Sequence, residues 1–195
     1  MNLLETIKGA TPIEDISDLI PSHILNKDEL NTWEATNILR AVEKNIIRRK
    51  KIIITVDWLK KIHKEMFDKT WKWAGIFRTR NYNIGVAWDL ILEQTKLLVD
   101  DIEYWHNAKE MTIFEQSLRI HHRLVKIHPF VNGNGRHARL VSDIFLFNNA
   151  HKLPNWPNAE LINETNIREK YIEALRAADN ADYDLLENFT RELLS

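Results

Sequence analysis

Apolar residues recur every three or four positions along most of this chain, the spacing that places them on one face of an α-helix. Residues that favour helix N-termini precede several of these runs, and Thr112 with Glu115 has the spacing of a capping box. Thr55 is placed to cap an earlier helix. The pattern predicts helices over about 28–51, 55–68, 88–108, 112–127, 135–149, 166–178 and 184–194.

The same spacing predicts which side chains face inward. In the first helix, which Asn26 or Asp28 would cap, the predicted inward residues are Leu30, Trp33, Ile38, Ala41, Ile46 and Ile47. In the helix that begins near residue 88, they are Leu90, Leu92, Leu97, Leu98, Ile102 and Trp105.

Strand-forming residues are concentrated between residues 70 and 86, where aromatic, β-branched and glycine residues predict a short β-hairpin. Residues 1–25 contain a glycine and two prolines among isolated apolar residues, and we expect an extended arm laid over the body. A loop is predicted over 150–164. The chain is therefore predicted to be one all-α domain over 26–195 with a small hairpin, preceded by the arm.

Composition limits the class of protein. A chain of 195 residues with 44% hydrophobic and 28% charged residues is ordinary for one soluble domain, and the absence of cysteine excludes thiol chemistry. The net charge of −1 gives no general attraction to nucleic acid or anionic lipid, and the basic run 48–51 is interpreted as a solvated helix end. No signal-peptide pattern or membrane-length apolar run is present. We expect a cytoplasmic protein with no nucleic-acid or membrane partner.

The stretch 127–139 carries the candidate chemistry. A proline ends one predicted helix, and two glycines permit a tight turn before the next one begins. The N–H groups and the dipole at the start of that next helix can bind an anion. Arg136 and Arg139 lie on one of its faces, and guanidinium groups match phosphate oxygens. With His128 at the entrance, the stretch predicts a phosphate-binding site beside a base.

His121, His122 and His128 also suggest a metal site. Their spacing is not that of a zinc-protease helix, and neither cysteines nor a carboxylate cluster lie nearby in the sequence. Structural roles are therefore predicted for His121 and His122.

The stretch 128–139 resembles the signature of the Fic family, His-x-Phe-x-(Asp/Glu)-Gly-Asn-Gly-Arg-x-x-Arg. The matching residues are His128, Phe130, Gly133, Asn134, Gly135, Arg136 and Arg139. Asn132 departs from it, since the family usually has an acid there. Residues 73–78 resemble the Trp-Ala-Gly-x-Phe-Arg segment that precedes the Fic flap, and residues 171–183 resemble the segment after the signature. The resemblance spans about 30–193 and implies a Fic-like helical bundle.

This resemblance implies a protein adenylyltransferase, which carries out AMPylation by moving AMP from ATP, with Mg²⁺ or Mn²⁺, to a Ser, Thr or Tyr hydroxyl of another protein or of itself. His128 would be the catalytic base, and Phe130 would anchor the loop. The phosphate-binding residues would be Gly133, Asn134, Gly135, Arg136 and Arg139. The hairpin would be a flap that binds the target segment through Arg80, Asn81, Tyr82, Asn83, Ile84 and Gly85.

Asn132 changes the expected metal site. Its amide oxygen can contact a metal ion, but Mg²⁺ prefers anionic oxygen, so weaker binding is expected. Slow AMP transfer, a different phosphate-containing donor and loss of catalysis all stay open. Relatives that transfer phosphate usually replace the second glycine of the signature, and the presence of Gly135 favours nucleotidyl transfer.

Fic enzymes are often inhibited by a helix with the pattern (Ser/Thr)-x-x-x-Glu-(Gly/Asn). Only Thr165 and Glu169 have this spacing, and Lys170 follows them; Glu34 is a weaker candidate. No built-in inhibitory motif is therefore predicted, and a small antitoxin-like partner could supply regulation. The alternative to an enzyme is a non-catalytic Fic module that binds a nucleotide or peptide in a toxin–antitoxin-like or mobile-element pair.

Overall fold

The structure is a computed structural model that describes residues 16–47, 52–163 and 165–194. Within these residues the predicted all-α fold is confirmed. The helices are α1 (Lys27–Val42), α2 (Val56–Phe67), α3 (Ile91–Ala108), α4 (Ile113–Ile127), α5 (Asn134–Asn148), α6 (Asn158–Ile162), α7 (Asn166–Asp179) and α8 (Asp184–Glu192). A π-helical segment, Glu43–Ile47, extends α1, and a 3₁₀ turn, Trp88–Leu90, leads into α3.

α4 and α5 pack against each other at the centre, joined by the short loop 128–133, which we call the signature loop. The C-terminal half of α4 contributes to one hydrophobic core with α1, α2, α3 and α5. Its N-terminal half contributes to a second core with α7 and α8. Because α4 is buried in both cores, the signature loop leaves from a rigid support.

Local sequence sets where the supporting helices begin. Thr112 and Glu115 form the predicted capping box at the start of α4, with each side chain bonded to the other residue's backbone. Thr55 caps α2 by accepting from the Trp58 N–H (3.1 Å). These predictions are confirmed because a cap depends on residues within one turn of each other.

The described part of the predicted arm runs beside the segment that follows α2. Leu19 and Trp71 form an antiparallel bridge, and the Ile20 N–H donates to Thr70 O (2.9 Å). The described part of the arm therefore lies over the body. Residues 1–15 lie outside the described residues, and the division into an arm and a domain stays a prediction.

The hairpin predicted over residues 70–86 is wrong. In the described chain this segment consists mainly of turns with local bonds such as the Ile76 N–H to Trp73 O (2.9 Å), and two of its later residues bond to the end of α4 and the signature loop. The Arg78 N–H donates to Pro129 O (2.9 Å), and the Val86 N–H donates to Ile127 O (3.3 Å). Since both arms bond to the same stretch, they do not pair as two strands.

The predicted inward face of the first helix is partly wrong. Leu30 and Ala41 are buried as predicted, but Trp33 is 37% exposed. Glu34 and Asn37 are buried in its place. Polar side chains can be buried when they are hydrogen-bonded, and both residues have partners in the segment that follows α2.

The set of α3 residues predicted to face inward is also larger than the set that is buried in the structure. Leu92 and Leu97 are exposed, whereas Leu98 and Ile102 are buried. The buried residues of α3 form a single stripe, so the helix contacts the bundle along a narrow line. The loop predicted over 150–164 contains α6, a helix of five residues that the sequence pattern did not predict.

Among the helices that the structure describes, none is long and apolar enough to cross a membrane. The basic run 48–51 lies outside the described residues, so its prediction as a solvated helix end stays a prediction.

Candidate active site

His128 ends α4 in a left-handed conformation (φ 53°, ψ 58°), which turns the chain sharply into the signature loop. Its side chain is buried, and Nδ1 lies 3.1 Å from Val125 O. A carbonyl oxygen can only accept, so Nδ1 carries the proton and Nε2 is the unprotonated nitrogen of the neutral ring. In this tautomer the ring can take a proton at Nε2.

The surroundings of His128 favour the neutral ring. Burial lowers the pKa of His128 to about 4; the bond to Val125 O opposes this shift, and the positive charge of Arg78 adds to it. His128 is therefore unprotonated at neutral pH, as a general base must be at the start of a reaction.

Arg78 holds the backbone around His128. Its buried guanidinium donates through Nε to His128 O (2.7 Å), through Nη1 to Arg80 O (2.8 Å) and through Nη2 to Val86 O (2.5 Å). At Gly85 (φ 101°) a Cβ would lie 2.6 Å from His128 Cβ, so glycine lets this segment close over the histidine. The sequence carries no signal for this role beyond the arginine of the Trp-Ala-Gly-x-Phe-Arg resemblance.

The residues predicted to bind a target segment are divided by the structure. Ile84 and Gly85 line the same cavity as His128. The other four predicted flap residues, all of them described, do not line this cavity: Arg80, Asn81, Tyr82 and Asn83. The role of the six residues as a target-binding flap stays a prediction.

Phe130 is fully buried, and its ring stacks on His63 with 3.6 Å between the ring centroids. The Phe130 N–H donates to Asn134 Oδ1 (2.9 Å), and Asn134 Nδ2 donates to Phe130 O (2.9 Å). The Asn134 amide therefore braces the signature loop, and its predicted contact with phosphate depends on the second N–H of Nδ2. Phe130 is thus buried at the base of the loop, and its role as the loop anchor stays a prediction.

The two glycines of the signature differ. Gly133 has φ 77°, and a Cβ there would lie 2.5 Å from the Phe67 ring, so the turn into α5 requires glycine. A Cβ on Gly135 would meet only Arg139 Nη1, at 3.8 Å. Gly135 thus keeps space open beside Arg139, and both glycines line the cavity. The first N–H groups of α5 lack carbonyl partners within the helix, so the predicted anion site has donors available.

Asn132 lines the same cavity, with its side chain turned back on the loop. Its Oδ1 accepts from the Gly133 N–H (2.6 Å), and its backbone carbonyl lies 3.0 Å from His63 Nε2. The Gly75 N–H donates to His63 Nδ1 (3.0 Å), so Nε2 carries the proton that bonds Asn132. His63 connects α2 to the signature loop, a role for which the sequence gives no signal beyond a histidine on an apolar helix face.

Arg136 forms an ion pair with a residue of α1. Its Nη1 donates to Glu34 Oε2 (2.5 Å), and its guanidinium carbon lies 4.9 Å from the centroid of the Phe67 ring. The Arg136 side chain is 20% exposed, and that of Glu34 is 5% exposed. The contact between these two residues was not predicted, since they lie on helices far apart in the sequence.

Arg139 is buried among residues that come from beyond α5. Its guanidinium carbon lies 5.8 Å from the ring centroids of Trp156 and of Tyr171, and Nη2 donates to Asn158 Oδ1 at 3.5 Å. The predicted pair of arginines therefore lies on one wall of the cavity, held by different neighbours.

His121 and His122 bond to α7 and the residues after it. His121 Nε2 lies 2.7 Å from Tyr171 Oη. His122 lies 3.0 Å from Tyr183 Oη through Nδ1 and 3.0 Å from Asp179 Oδ1 through Nε2. These contacts agree with structural roles for both histidines.

A cavity of about 680 Å³ brings the site together. It is lined by the end of α4 with His128, the signature loop, the start of α5 with both arginines, part of α1 and one face of α7. Its volume lies within the range of small-molecule sites. A base, the start of a helix and two guanidinium groups line one partly open space, which suits a reaction at a phosphate.

Residues 53–146 match the model of the Fic/DOC family. Protein adenylyltransferase fic-1 of Caenorhabditis elegans is 33% identical over 116 residues, which are 56% of this chain and 21% of that protein. A probable protein adenylyltransferase of Aquifex aeolicus is 32% identical over 95 residues, 48% of this chain and 27% of that protein. The chain therefore spans about a fifth to a quarter of the length of these curated relatives.

Solved structures share the fold. BepC of Bartonella tribocorum, solved with bound AMPPNP, aligns with a TM-score of 0.67 at 17% identity, over 99% of this chain and 97% of that chain. Fic-1 of C. elegans aligns with a TM-score of 0.68 at 20% identity, over 90% of this chain and 51% of that chain. At these identities the likeness shows the fold alone.

Proposed function

We propose, from the match of residues 53–146 to the Fic/DOC family, that this chain is a protein adenylyltransferase that transfers AMP from ATP to a Ser, Thr or Tyr hydroxyl of a protein. The observation that carries the proposal is the neutral His128 in one cavity with the start of α5 and two arginines. The adenylyltransferase names of the nematode and Aquifex relatives, and the AMPPNP bound by BepC, support the same reaction.

In the proposed reaction His128 Nε2 takes the proton of the target hydroxyl. The hydroxyl oxygen bonds to the α-phosphorus of ATP, and the bond from that phosphorus to the bridging oxygen of the β-phosphate breaks. AMP remains on the protein, and pyrophosphate leaves. The bond from Nδ1 to Val125 O keeps the ring in the required tautomer, and Arg78 fixes the backbone that carries it.

The phosphates would be bound at the start of α5. Its N–H groups face the cavity with the positive end of the helix dipole, and they would accept negative charge as it develops. Arg136 and Arg139 would bind the leaving pyrophosphate. Asn134 would act mainly through the loop geometry that it braces.

Mg²⁺ or Mn²⁺ fits this cavity only in part. Asn132 Oδ1 accepts the Gly133 N–H and is a neutral amide oxygen, so Asn132 and the nucleotide phosphates would hold the ion without a protein carboxylate at position 132. When bound, the ion would neutralise phosphate charge. Because Asn132 stands where the signature usually has a carboxylate, we propose weak metal binding and correspondingly slow transfer of AMP.

A non-catalytic nucleotide-binding module, acting in a toxin–antitoxin-like pair with a small inhibitory partner, is the second candidate. The observation that favours it is Asn132, whose amide oxygen already bonds to the Gly133 N–H. A different phosphate-containing donor would be consistent with the same residue.

The test is to incubate the purified protein and a cell lysate with ATP labelled at the α-phosphate and, separately, at the γ-phosphate. Both reactions are run with Mg²⁺ and with Mn²⁺, beside the His128→Ala variant. Label from the α-phosphate that is lost in the variant supports AMP transfer, whether the labelled protein is a partner or the chain itself. Label from the γ-phosphate alone would indicate phosphate transfer. ATP binding without label would favour the non-catalytic module.

A further inference from the structure

α1 precedes the segment that matches the family, yet it forms one wall of the cavity. Lys27, Asn31 and Glu34 line the cavity together with Leu30, and their spacing places them along one face of the helix. Glu34 contacts a signature residue through its ion pair with Arg136.

Glu34 is held independently of Arg136. Its Oε1 accepts from Trp71 Nε1 (2.7 Å), while Oε2 accepts from Arg136. Trp71 is itself buried at the corner that follows α2. A carboxylate fixed on one side by a buried indole offers the arginine a partner at a defined position.

α1 is docked on the body by hydrogen bonds to the end of α2 and the segment after it. Asn37 Nδ2 donates to Glu65 O (3.2 Å), and Asn37 Oδ1 accepts from the Lys69 N–H (3.0 Å) and from Thr70 Oγ1 (3.3 Å). Trp33 Nε1 donates to Lys69 O (3.1 Å). Releasing α1 would leave these groups without partners, so the helix has the contacts of a permanent part of the fold.

The contact leaves Arg136 with donors for an anion. The ion pair uses Nη1, whereas a guanidinium has five N–H groups. The Phe67 ring supports the guanidinium, and Arg136 lines the cavity. One edge is thus fixed, and donors on the other nitrogens remain for the phosphates.

We propose that Glu34 is a positioning residue: it orients Arg136 toward the nucleotide phosphates, and α1 is a constant wall of the site instead of an inhibitory helix. This inference rests on the proposed function. A carboxylate beside an arginine also repels phosphate and competes for its donors, which would weaken nucleotide binding. The fixed carboxylate, the single-nitrogen contact and the docked helix favour positioning.

The variant that tests the inference is Glu34→Gln, which keeps the size of the side chain and removes its charge. Glu65→Gln is the matched control. Glu65, on α2, also bonds to the α1 region, through Lys44 and Asn45. It is a described residue that does not line the cavity. ATP affinity is measured by calorimetry and the KM for ATP by α-label transfer, and circular dichroism checks that each variant is folded.

We expect Glu34→Gln to weaken ATP binding and raise the KM about tenfold, the effect of weakening one charged hydrogen bond, while Glu65→Gln changes neither. In an Arg136→Met background, Glu34→Gln should have no further effect on ATP affinity, a result that a general loss of packing would not give. Trp71→Phe, which removes the indole N–H, should act in the same direction with a smaller effect.

Unchanged or tighter ATP binding by Glu34→Gln, or stronger labelling, would overturn the inference. Failure of the proposed function gives a different result, because the wild-type protein would then bind ATP without transferring label, or would not bind it.

Discussion

The two arginines of the site lie three residues apart on α5, but they are held by opposite means. Arg136 is paired with a buried carboxylate from the N-terminal side of the chain and is 20% exposed. Arg139 is 5% exposed and lies near the aromatic rings of Trp156 and Tyr171 from the C-terminal side. The first arginine is fixed by charge and the second by ring faces and burial.

This difference shows how one helix face can provide two kinds of anion contact. An ion pair offsets the charge of Arg136 and fixes one of its edges, whereas ring faces leave the charge of Arg139 largely available. Residues from both ends of the chain are needed to build the pair. The following predictions test this comparison.

The largest expected effect is on stability at Arg136. Arg136→Met removes one partner of a buried ion pair and leaves Glu34 uncompensated, so we expect a loss of about 3 kcal/mol in the free energy of unfolding. Arg139 interacts with Asp143, but burial raises the pKa of that carboxyl to about 7, so it can stay protonated when the arginine is removed, and Arg139→Met should cost about 1 kcal/mol. Urea denaturation measures both. Equal losses would show that the ion pair contributes no more to stability than the aromatic surroundings do.

The two glycines extend the comparison to the backbone. We expect Gly133→Ala to cost about 2 kcal/mol, because its φ of 77° and the Phe67 ring do not accommodate a methyl group. Gly135→Ala has room and should change stability by less than about 1 kcal/mol. Its methyl group would approach Arg139, so ATP affinity should fall. If Gly133→Ala were as stable as Gly135→Ala, the assignment of the turn to Gly133 would be wrong.

Acid should destabilise the protein. Burial lowers the pKa of His121 to about 3, of His128 and His137 to about 4, and of His63 well below its usual 6.5. Below pH 6.5 the unfolded chain binds more protons at these residues, so stability is lost as the pH falls from 6.5 toward 4. Burial raises the pKa of Asp143 to about 7, which opposes the trend by one group.

Urea titrations at several pH values should show a loss of about 2 kcal/mol or more between pH 6.5 and pH 5, since each neutral buried histidine contributes up to about 1.4 kcal/mol per pH unit. Asp143→Asn removes the opposing carboxyl beside Arg139 and should make the acid decline steeper. Stability that is flat or rises on acidification would contradict the prediction.

The smallest expected effect on ATP affinity is that of changing Trp156, whose ring lies beside Arg139. Trp156→Phe keeps an aromatic face but removes the indole N–H that bonds Asp143 at 3.0 and 3.1 Å. We expect a loss of about 1 kcal/mol in stability and less than a threefold change in ATP affinity. A larger change in affinity would mean that the bond from the indole N–H to Asp143, and not the ring face alone, positions Arg139.

Much of this protein follows from its sequence alone. The caps at Thr55 and Thr112, the break at Pro129 and the left-handed turn at Gly133 are set by contacts within a few residues. The signature also placed a histidine, helix N–H groups and two arginines around one turn. Such features can be predicted because local geometry does not depend on what packs against it.

Only the tertiary structure decided the rest. Glu34 and Arg136 are 102 residues apart, and Arg78 and His128 are 50 apart, so no local pattern indicates either contact. The hairpin prediction for residues 70–86 failed for a similar reason. Their composition is strand-like, but their backbone N–H groups bond to carbonyls at the end of α4 and in the signature loop, and not to a second strand of the same segment. A hydrogen-bonding group takes the partner that packing brings to it, and packing is a property of the whole chain.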